Sequence, residues 1–369
     1  MASAWVCPPV TNRDGSKSYK VCWRDHSGRR CSKNFHKSRE ASIFCTEMNS
    51  KLNRHEFTPA ETIAFAKLCE EWLEIKEPGL RPETMRNYRD QIRLRLIPEF
   101  GPYLVTGIAP RDVERYAARL SKSGLAPETQ RKTLMTLKAV LDKAVQWGYL
   151  GKNPAVFAKA PKRTKKDIEV LSPAEMALLI EHADLRYRAI IATGCHTGLR
   201  ISELFGLKWC DINLAKGILH VRQNLQKGTF FEPKSRSSRR SVPMPSFLVD
   251  ILLKHLAWQR EWIEHNEHDL AFTNLHGRHL NYQNFTKRYF EPALEKAGLR
   301  RITPHAMRHS YASALLTASE PIQNVSRLLG HADASITLRV YAHVLPESAS
   351  DTAKRLDVIF TPCGASSLR

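Results

Sequence analysis

Lys159-Ala160-Pro161-Lys162-Arg163-Thr164-Lys165-Lys166 places five cations and a proline in eight positions, a run that no hydrophobic core accepts. The chain must therefore fold separately on either side of it, and 159–167 reads as an exposed basic linker. Such a run is either a solvated tether or a strap suited to a phosphate backbone. Before it, residues 57–158 carry helix signals at close intervals. Thr58-Pro59-Ala60-Glu61, Arg81-Pro82-Glu83-Thr84, Ala109-Pro110-Arg111-Asp112 and Ala126-Pro127-Glu128-Thr129 each put proline in a first turn near an acidic residue. Apolar residues follow at helical spacing: Phe65, Leu68, Trp72 and Ile75 in the first helix, Val113, Tyr116 and Leu120 in the third. Four or five such helices make a bundle of about 100 residues, with Trp72, Tyr88, Tyr116 and Trp147 in its core.

Residues 1–55 follow another pattern. Segments 18–24 and 30–35 alternate as strands around the turn Asp25-His26-Ser27-Gly28. From Ser38 to about Asn53 a helix is expected, with Ala41, Phe44, Cys45 and Met48 on one face. Eleven Lys and Arg stand against five Asp and Glu over residues 1–56, so this small α+β module is strongly basic. Cys7, Cys22, Cys31 and Cys45 raise a zinc site, but their spacings are wide and structural zinc draws ligands in close pairs. Small buried thiols are the expectation, with no metal.

Across all 369 residues, 57 Lys and Arg against 37 Asp and Glu leave a formal charge of +20. An excess of that size points to a polyanionic partner, nucleic acid first, with anionic membrane and ribosomal surfaces behind it. No apolar run of about 18 residues occurs, so no span of a bilayer is expected. The N-terminal residues lack a basic and an apolar secretion region, which predicts a cytoplasmic, DNA-associated protein.

Residues 168–350 hold the chemistry. Thr197-Gly198-Leu199-Arg200-Ile201-Ser202-Glu203-Leu204 reads as a turn entering a helix, which Leu207-Lys208-Trp209 continues. Strands are expected at 218–221, 229–232 and 241–244, with Pro233-Lys234-Ser235 and a basic turn between the last two. Thr303-Pro304 opens a helix that sets His305 and Arg308 three apart, on one face. Leu328-Leu329-Gly330-His331 ends another helix at glycine, and Tyr341 follows ten residues later.

The order Arg200, Lys234, His305-x-x-Arg308, Leu-Gly-His331 and Tyr341 resembles the tyrosine recombinase family, the phage-integrase type, from residue 57 to about 350. Residues 1–55 resemble, more weakly, the arm-type DNA-binding module of some integrases. The resemblance implies a multidomain, mainly α fold with small β-sheets. Its parts are the N-terminal α+β module, a helical SAM-like core-binding bundle and a mixed α+β catalytic domain of the DNA breaking-rejoining type. It further implies a clamp around duplex DNA, and cleavage and rejoining through a 3′-phosphotyrosyl intermediate on Tyr341.

Such transesterification needs a nucleophile, neutralisation of the non-bridging oxygens and a proton for the leaving 5′-oxygen. Arg200 and Arg308 can clamp the phosphate bidentately and stay charged at working pH. Lys234 would be the general acid, provided neighbouring cations depress its pKa, with Lys227 as its rival. His305 would assist the tyrosine proton or bond the phosphate, and His331 would bond a non-bridging oxygen. Tyr311 is a rival nucleophile on paper, although its neighbours Ala312, Ala314, Leu315 and Leu316 mark a core aromatic. Arg200 also has the plainer option of pairing with Glu203, read as an orienting carboxylate. The phosphodiester energy is kept in the enzyme–DNA bond, so neither ATP nor another cofactor is expected.

Lys159, Lys162, Arg163, Lys165 and Lys166 of the linker, with Arg236, Arg239 and Arg240 of the basic turn, are the expected DNA-binding residues. Four cleavages per recombination imply a homotetramer on two synapsed double-stranded sites, with DNA-bending or directionality factors as further partners and no membrane. The tail 351–369 would dock in cis or on a neighbour. Integration or excision of a mobile element such as a prophage is the leading expectation. A chromosome-dimer resolvase, a silent DNA-binding accessory protein or repressor, and a type IB topoisomerase are the alternatives.

Overall fold

A computed structural model describes residues 3–11, 16–24, 30–53, 63–162, 169–233, 236–342 and 360. Outside it lie the expected hairpin turn at 25–28, the helix start at 58–61, Arg163, Lys165, Lys166, Lys234 and most of the tail. The chain forms two compact units, residues 1–165 and 166–369.

In the N-terminal module, strands β1 (Ser3–Val6), β2 (Val10–Thr11), β3 (Lys17–Arg24) and β4 (Arg30–Phe35) precede helix α1 (Ser38–Asn53). Central β3 pairs antiparallel with the other three, and Cys22 faces Trp5 on one side and Ser32 on the other. Alternation then sends Ala4 and Trp23 towards α1, where they meet Phe44, Cys45 and Met48. Asn49 locks the packing, its side chain accepting from the Ala4 N–H at 2.8 Å and donating to the Ala4 carbonyl at 2.9 Å. The Cys7 and Cys22 thiols touch at 3.2 Å. Among the described residues, no group of three or more His, Cys, Asp or Glu is placed to hold a metal.

The bundle comprises α2 (Phe65–Lys76), α3 (Pro82–Gln91), α4 (Ile97–Phe100), α5 (Pro110–Lys122) and α6 (Pro127–Gln146). Proline stands first in α3, α5 and α6, where its missing N–H costs nothing. A π-turn, Ile92–Leu96, fuses α3 to α4, and the Tyr116 hydroxyl donates to the Arg95 carbonyl there at 3.0 Å. Trp72 and Tyr116 are buried, and Tyr88 and Trp147 pack against the same cluster, but Ile75 is 60% exposed at the end of α2.

The second unit contains α7 (Pro173–Glu181), α8 (Leu185–Thr197), α9 (Ile201–Phe205), strands β5 (Ile212–Asn213), β6 (Ile218–Val221), β7 (Asn224–Gln226), β8 (Thr229–Phe231) and β9 (Arg240–Pro243), then α10 (Ser246–Trp262), α11 (Tyr282–Phe285), α12 (Glu291–Lys296), α13 (His305–Thr317), α14 (Ile322–Leu329) and α15 (Ala334–Tyr341). Ser172 and Glu175 cap α7 reciprocally, at 3.2 and 2.7 Å. Strands β5, β6 and β9 form one small antiparallel sheet, and β7 and β8 a hairpin. The helix expected to run on through Trp209 stops at Gly206. There the backbone is recruited across the unit: Ala271 N–H donates to Leu207 O at 2.8 Å and Trp209 N–H to Asp269 O at 2.9 Å.

Candidate active site

Two helix ends set the stage. Helix α8 closes on Gly198 and α14 on Gly330, both left-handed, with φ of 62° and 66°. Their last carbonyls carry the negative ends of the helix dipoles and have no partner within the helix. Arg308, one turn into α13 and only 3% exposed, fills that need. It donates to Gly198 O at 2.8 Å and to Leu329 O at 2.7 Å. A side chain at Gly198 would place its Cβ 2.4 Å from the Tyr311 ring, so glycine is required by space as well as by φ. Burial, and then the neighbouring Arg200, pull the Arg308 guanidinium down to about 9, which still leaves it a cation at neutral pH.

Arg200 stands at the start of α9 and half-exposed, donating to Glu203 Oε1 at 2.8 Å. The other Glu203 oxygen accepts from the Arg200 backbone N–H at 2.8 Å, and the same carboxylate receives Arg240 at 3.2 and 2.9 Å. Burial alone would raise the Glu203 carboxyl, but Arg240 and Arg200 hold it below its ordinary value. Arg240 also donates to Leu328 O at 2.5 Å, tying β9 to the end of α14. Two guanidiniums thus share one carboxylate, and Arg308 adds a third cation, leaving a net excess of two positive charges to meet an anion.

Around them stand imidazoles and a phenol. His331 follows Gly330, and its Nδ1 meets Thr337 Oγ1 at 2.8 Å. With Thr337 donating, the other ring nitrogen carries the proton and is free to donate outward. His305 is exposed at the start of α13, its ring edge-on to His309 at 4.7 Å. His309 Nδ1 lies 2.7 Å from the hydroxyl of Tyr341, which closes α15 and is 2% exposed. Burial pushes Tyr341 up to about 12, with Arg308 pulling the other way. Burial, then His305 and Arg308, bring His309 down to about 4. Burial followed by Arg308, Arg200 and Arg240 does the same to His331, also to about 4.

These depressed imidazoles make the unit acid-sensitive. Between about pH 4 and the ordinary histidine value of about 6.5, the unfolded chain binds protons that the folded site refuses, so stability rises with pH in that window and is lost as pH falls through it. Each histidine contributes at most about 1.4 kcal/mol per pH unit, and less because both rings keep some solvent contact. Urea midpoints of the second unit are expected to be lower at pH 5 than at pH 7, with the difference reduced in His331→Gln. Equal midpoints would contradict this reading of the site.

Arg200, His305, Arg308, His331 and Tyr341 therefore converge, while Lys234 lies outside the described residues. Its rival Lys227 sits in the β7–β8 turn with a left-handed φ of 50°. Tyr311 packs against the apolar cluster of α13 and α14, and burial pushes it up to about 12. Of the expected DNA-binding residues, Lys159 and Lys162 are exposed, and Arg239 is exposed and paired with Glu232 at 3.1 Å. Arg236 falls in a short 3-10 turn, 236–238. Arg240 is a correction: its side chain is 4% exposed and committed to Glu203, so it braces the site rather than offering a surface to DNA. His309 escaped sequence reasoning, although its place four residues after His305 put it on the same helix face as a signal.

Residues 169–348 match the phage integrase family, and residues 64–121 match the phage integrase N-terminal SAM-like domain. Among curated relatives, a tyrosine recombinase XerC-like protein of Caldanaerobacter subterraneus subsp. tengcongensis is 28% identical over 94% of this chain and 98% of its own length. Tyrosine recombinase XerC of Halalkalibacterium halodurans is 30% identical over 72% of this chain and 86% of its own. Among solved structures, the Tn1549 transposon integrase in complex with transposon right-end DNA superposes with a TM-score of 0.68 at 20% identity, over 81% of this chain and all of that one. A lambda integrase tetramer bound to a Holliday junction gives 0.60 at 16% identity, over 92% and 95%. The structures share the fold, and the sequence relatives settle the kinship: the chain belongs to the tyrosine recombinase family of site-specific DNA recombinases.

Proposed function

We propose that this recombinase cleaves DNA with Tyr341 and holds the scissile phosphate between Arg200 and Arg308. The observation that carries the reading is the meeting of two guanidiniums, in excess over their one carboxylate, with a buried phenol. In cleavage the Tyr341 oxygen bonds to phosphorus, the bond to the 5′-oxygen breaks, and that oxygen takes a proton from the general acid, assigned to Lys234. The guanidiniums neutralise charge that grows on the non-bridging oxygens, and His331 donates to one of them. Rejoining runs the same steps backwards from an incoming 5′-hydroxyl. Residues 1–55 would act as an arm-type module, 57–158 would grip the core site, and Lys159 and Lys162 would contact phosphates. Four such cleavages on two sites call for four copies of the chain, and the lambda relative is seen as a tetramer on a junction. The recombination served is integration or excision of a mobile element.

The test presents the protein with a library of nicked duplexes, in chelator and without nucleotide, and denatures with detergent. A protein–DNA adduct linked through a 3′-phosphate is expected; no adduct from any sequence would overturn the reading. The XerC relatives favour a second reading, resolution of chromosome dimers. Removing residues 1–55 separates the two: a resolvase recombines a bare core site as before, whereas an integrase loses recombination of sites that carry arm sequences.

A further inference from the structure

The family resemblance gives His305 either the tyrosine proton or a bond to the phosphate. The structure puts that ring elsewhere, exposed at the rim and edge-on to His309, while His309 itself touches the phenol at 2.7 Å. We propose that His309 is a catalytic residue, the base that takes the proton of Tyr341 as the nucleophile attacks. The inference deepens the assignment of Tyr341 as nucleophile and rests on it.

The polarity of the contact follows from its two partners. Burial keeps the proton on the phenol, and the surroundings keep the imidazole neutral, so one ring nitrogen is bare. A phenol is the stronger donor of the pair, which assigns Nδ1 as acceptor and leaves the proton of the ring on Nε2. The distance is that of a direct proton transfer, with no water needed between. The groups that face His309 are His305 and Arg308 on its own helix, Tyr341 from α15 and His331 from the turn after α14. Of these, His305 and Arg308 disfavour its protonation. A phosphodiester brings one negative charge between these groups, offsets Arg308, and so strengthens the base in the complex where it acts.

The step balances without any other reactant. As the Tyr341 oxygen bonds to phosphorus, its proton passes to Nδ1 and His309 becomes imidazolium. The broken P–O5′ bond leaves its electron pair on the 5′-oxygen, which is protonated by the general acid on the far side. On rejoining, the imidazolium returns its proton to the departing Tyr341 oxygen. His305 then acts as a positioning residue, its ring bracing the edge of the base.

Single-turnover adduct formation on a nicked duplex tests this, with wild type, His309→Ala and His309→Gln side by side. Both variants are expected to lose about 100-fold or more in rate, since positioned acid–base groups supply on the order of 10²–10⁴. DNA affinity should change less than about threefold, because the scissile phosphate is one contact among many. Free imidazole should restore part of the rate to His309→Ala and none to His309→Gln, whose side chain fills the space. A duplex with sulfur in place of the bridging 5′-oxygen needs no acid, so it should leave His309→Ala slow. Three results would overturn the proposal: His309→Gln cleaving within a few-fold of wild type, no rescue by imidazole, or full rescue by the sulfur substrate. If His309→Ala fails to fold, His309→Gln on the ordinary and the sulfur duplex still decides, since it should be slow on both. Absence of adduct from wild type would instead strike the nucleophile assignment on which the inference rests.

Discussion

Tyr341→Phe is expected to bind DNA as wild type does and to form no covalent adduct, a loss of 10⁴-fold or more on the order set by nucleophile deletions elsewhere. The substitution removes one oxygen from a ring that is 2% exposed and packed with Ala312, Leu316, Val325 and Leu329. The apolar contacts survive, so the fold should lose only the bond to His309, about 1 kcal/mol. Adducts that survive denaturation in this variant would move the nucleophile elsewhere, and Tyr311→Phe would then be the next measurement. The structure argues against that outcome. Tyr311 lies under the left-handed turn at Gly198, where even a methyl group would clash with its ring, and among the described residues only Tyr341 puts its hydroxyl on an imidazole.

What the sequence disclosed, and what it hid, divides by the range of the cause. Helices α3, α5 and α6 begin at Pro82, Pro110 and Pro127 because first-turn chemistry is local and legible. Strands β1 and β2 were not legible: they are four and two residues long, and their reason to be strands is β3, which comes later in the chain. The stop at Gly206 had the same kind of cause, since backbone groups of 207–209 are claimed by 269–271. At the site, ordered motifs singled out Arg200, His305, Arg308, His331 and Tyr341 as candidates, and the fold brings them together. Arg240 was misread because a basic turn looks like surface until Glu203 and Leu328 are seen to receive its guanidinium. His309 adjoins Arg308 in sequence, but its meaning depends on where α15 delivers Tyr341.

Arg308→Gln should separate catalysis from stability. The guanidinium is a charge that the folded site does not favour: burial and Arg200 bring it well below the usual arginine value. Its hydrogen bonds to Gly198 O and Leu329 O are what the fold gains, and its charge is what the fold tolerates. A glutamine amide is shorter and neutral, with two N–H donors for the same pair of carbonyls. The two effects oppose each other, so unfolding free energy should stay within about 1–2 kcal/mol of wild type. Cleavage should not survive, because the planar cation that meets the phosphate is gone; one lost oxyanion contact of this kind costs about 10²–10³ in rate. DNA affinity should fall by less than about tenfold, since one phosphate contact among many is lost. Adduct formation within tenfold of wild type would show that Arg308 is no clamp for the phosphate. A loss of more than about 3 kcal/mol with cleavage also gone would make it chiefly a strut between two helix ends. The expected pattern, a variant that folds and binds but does not cut, is what a site strained for charge recognition should give.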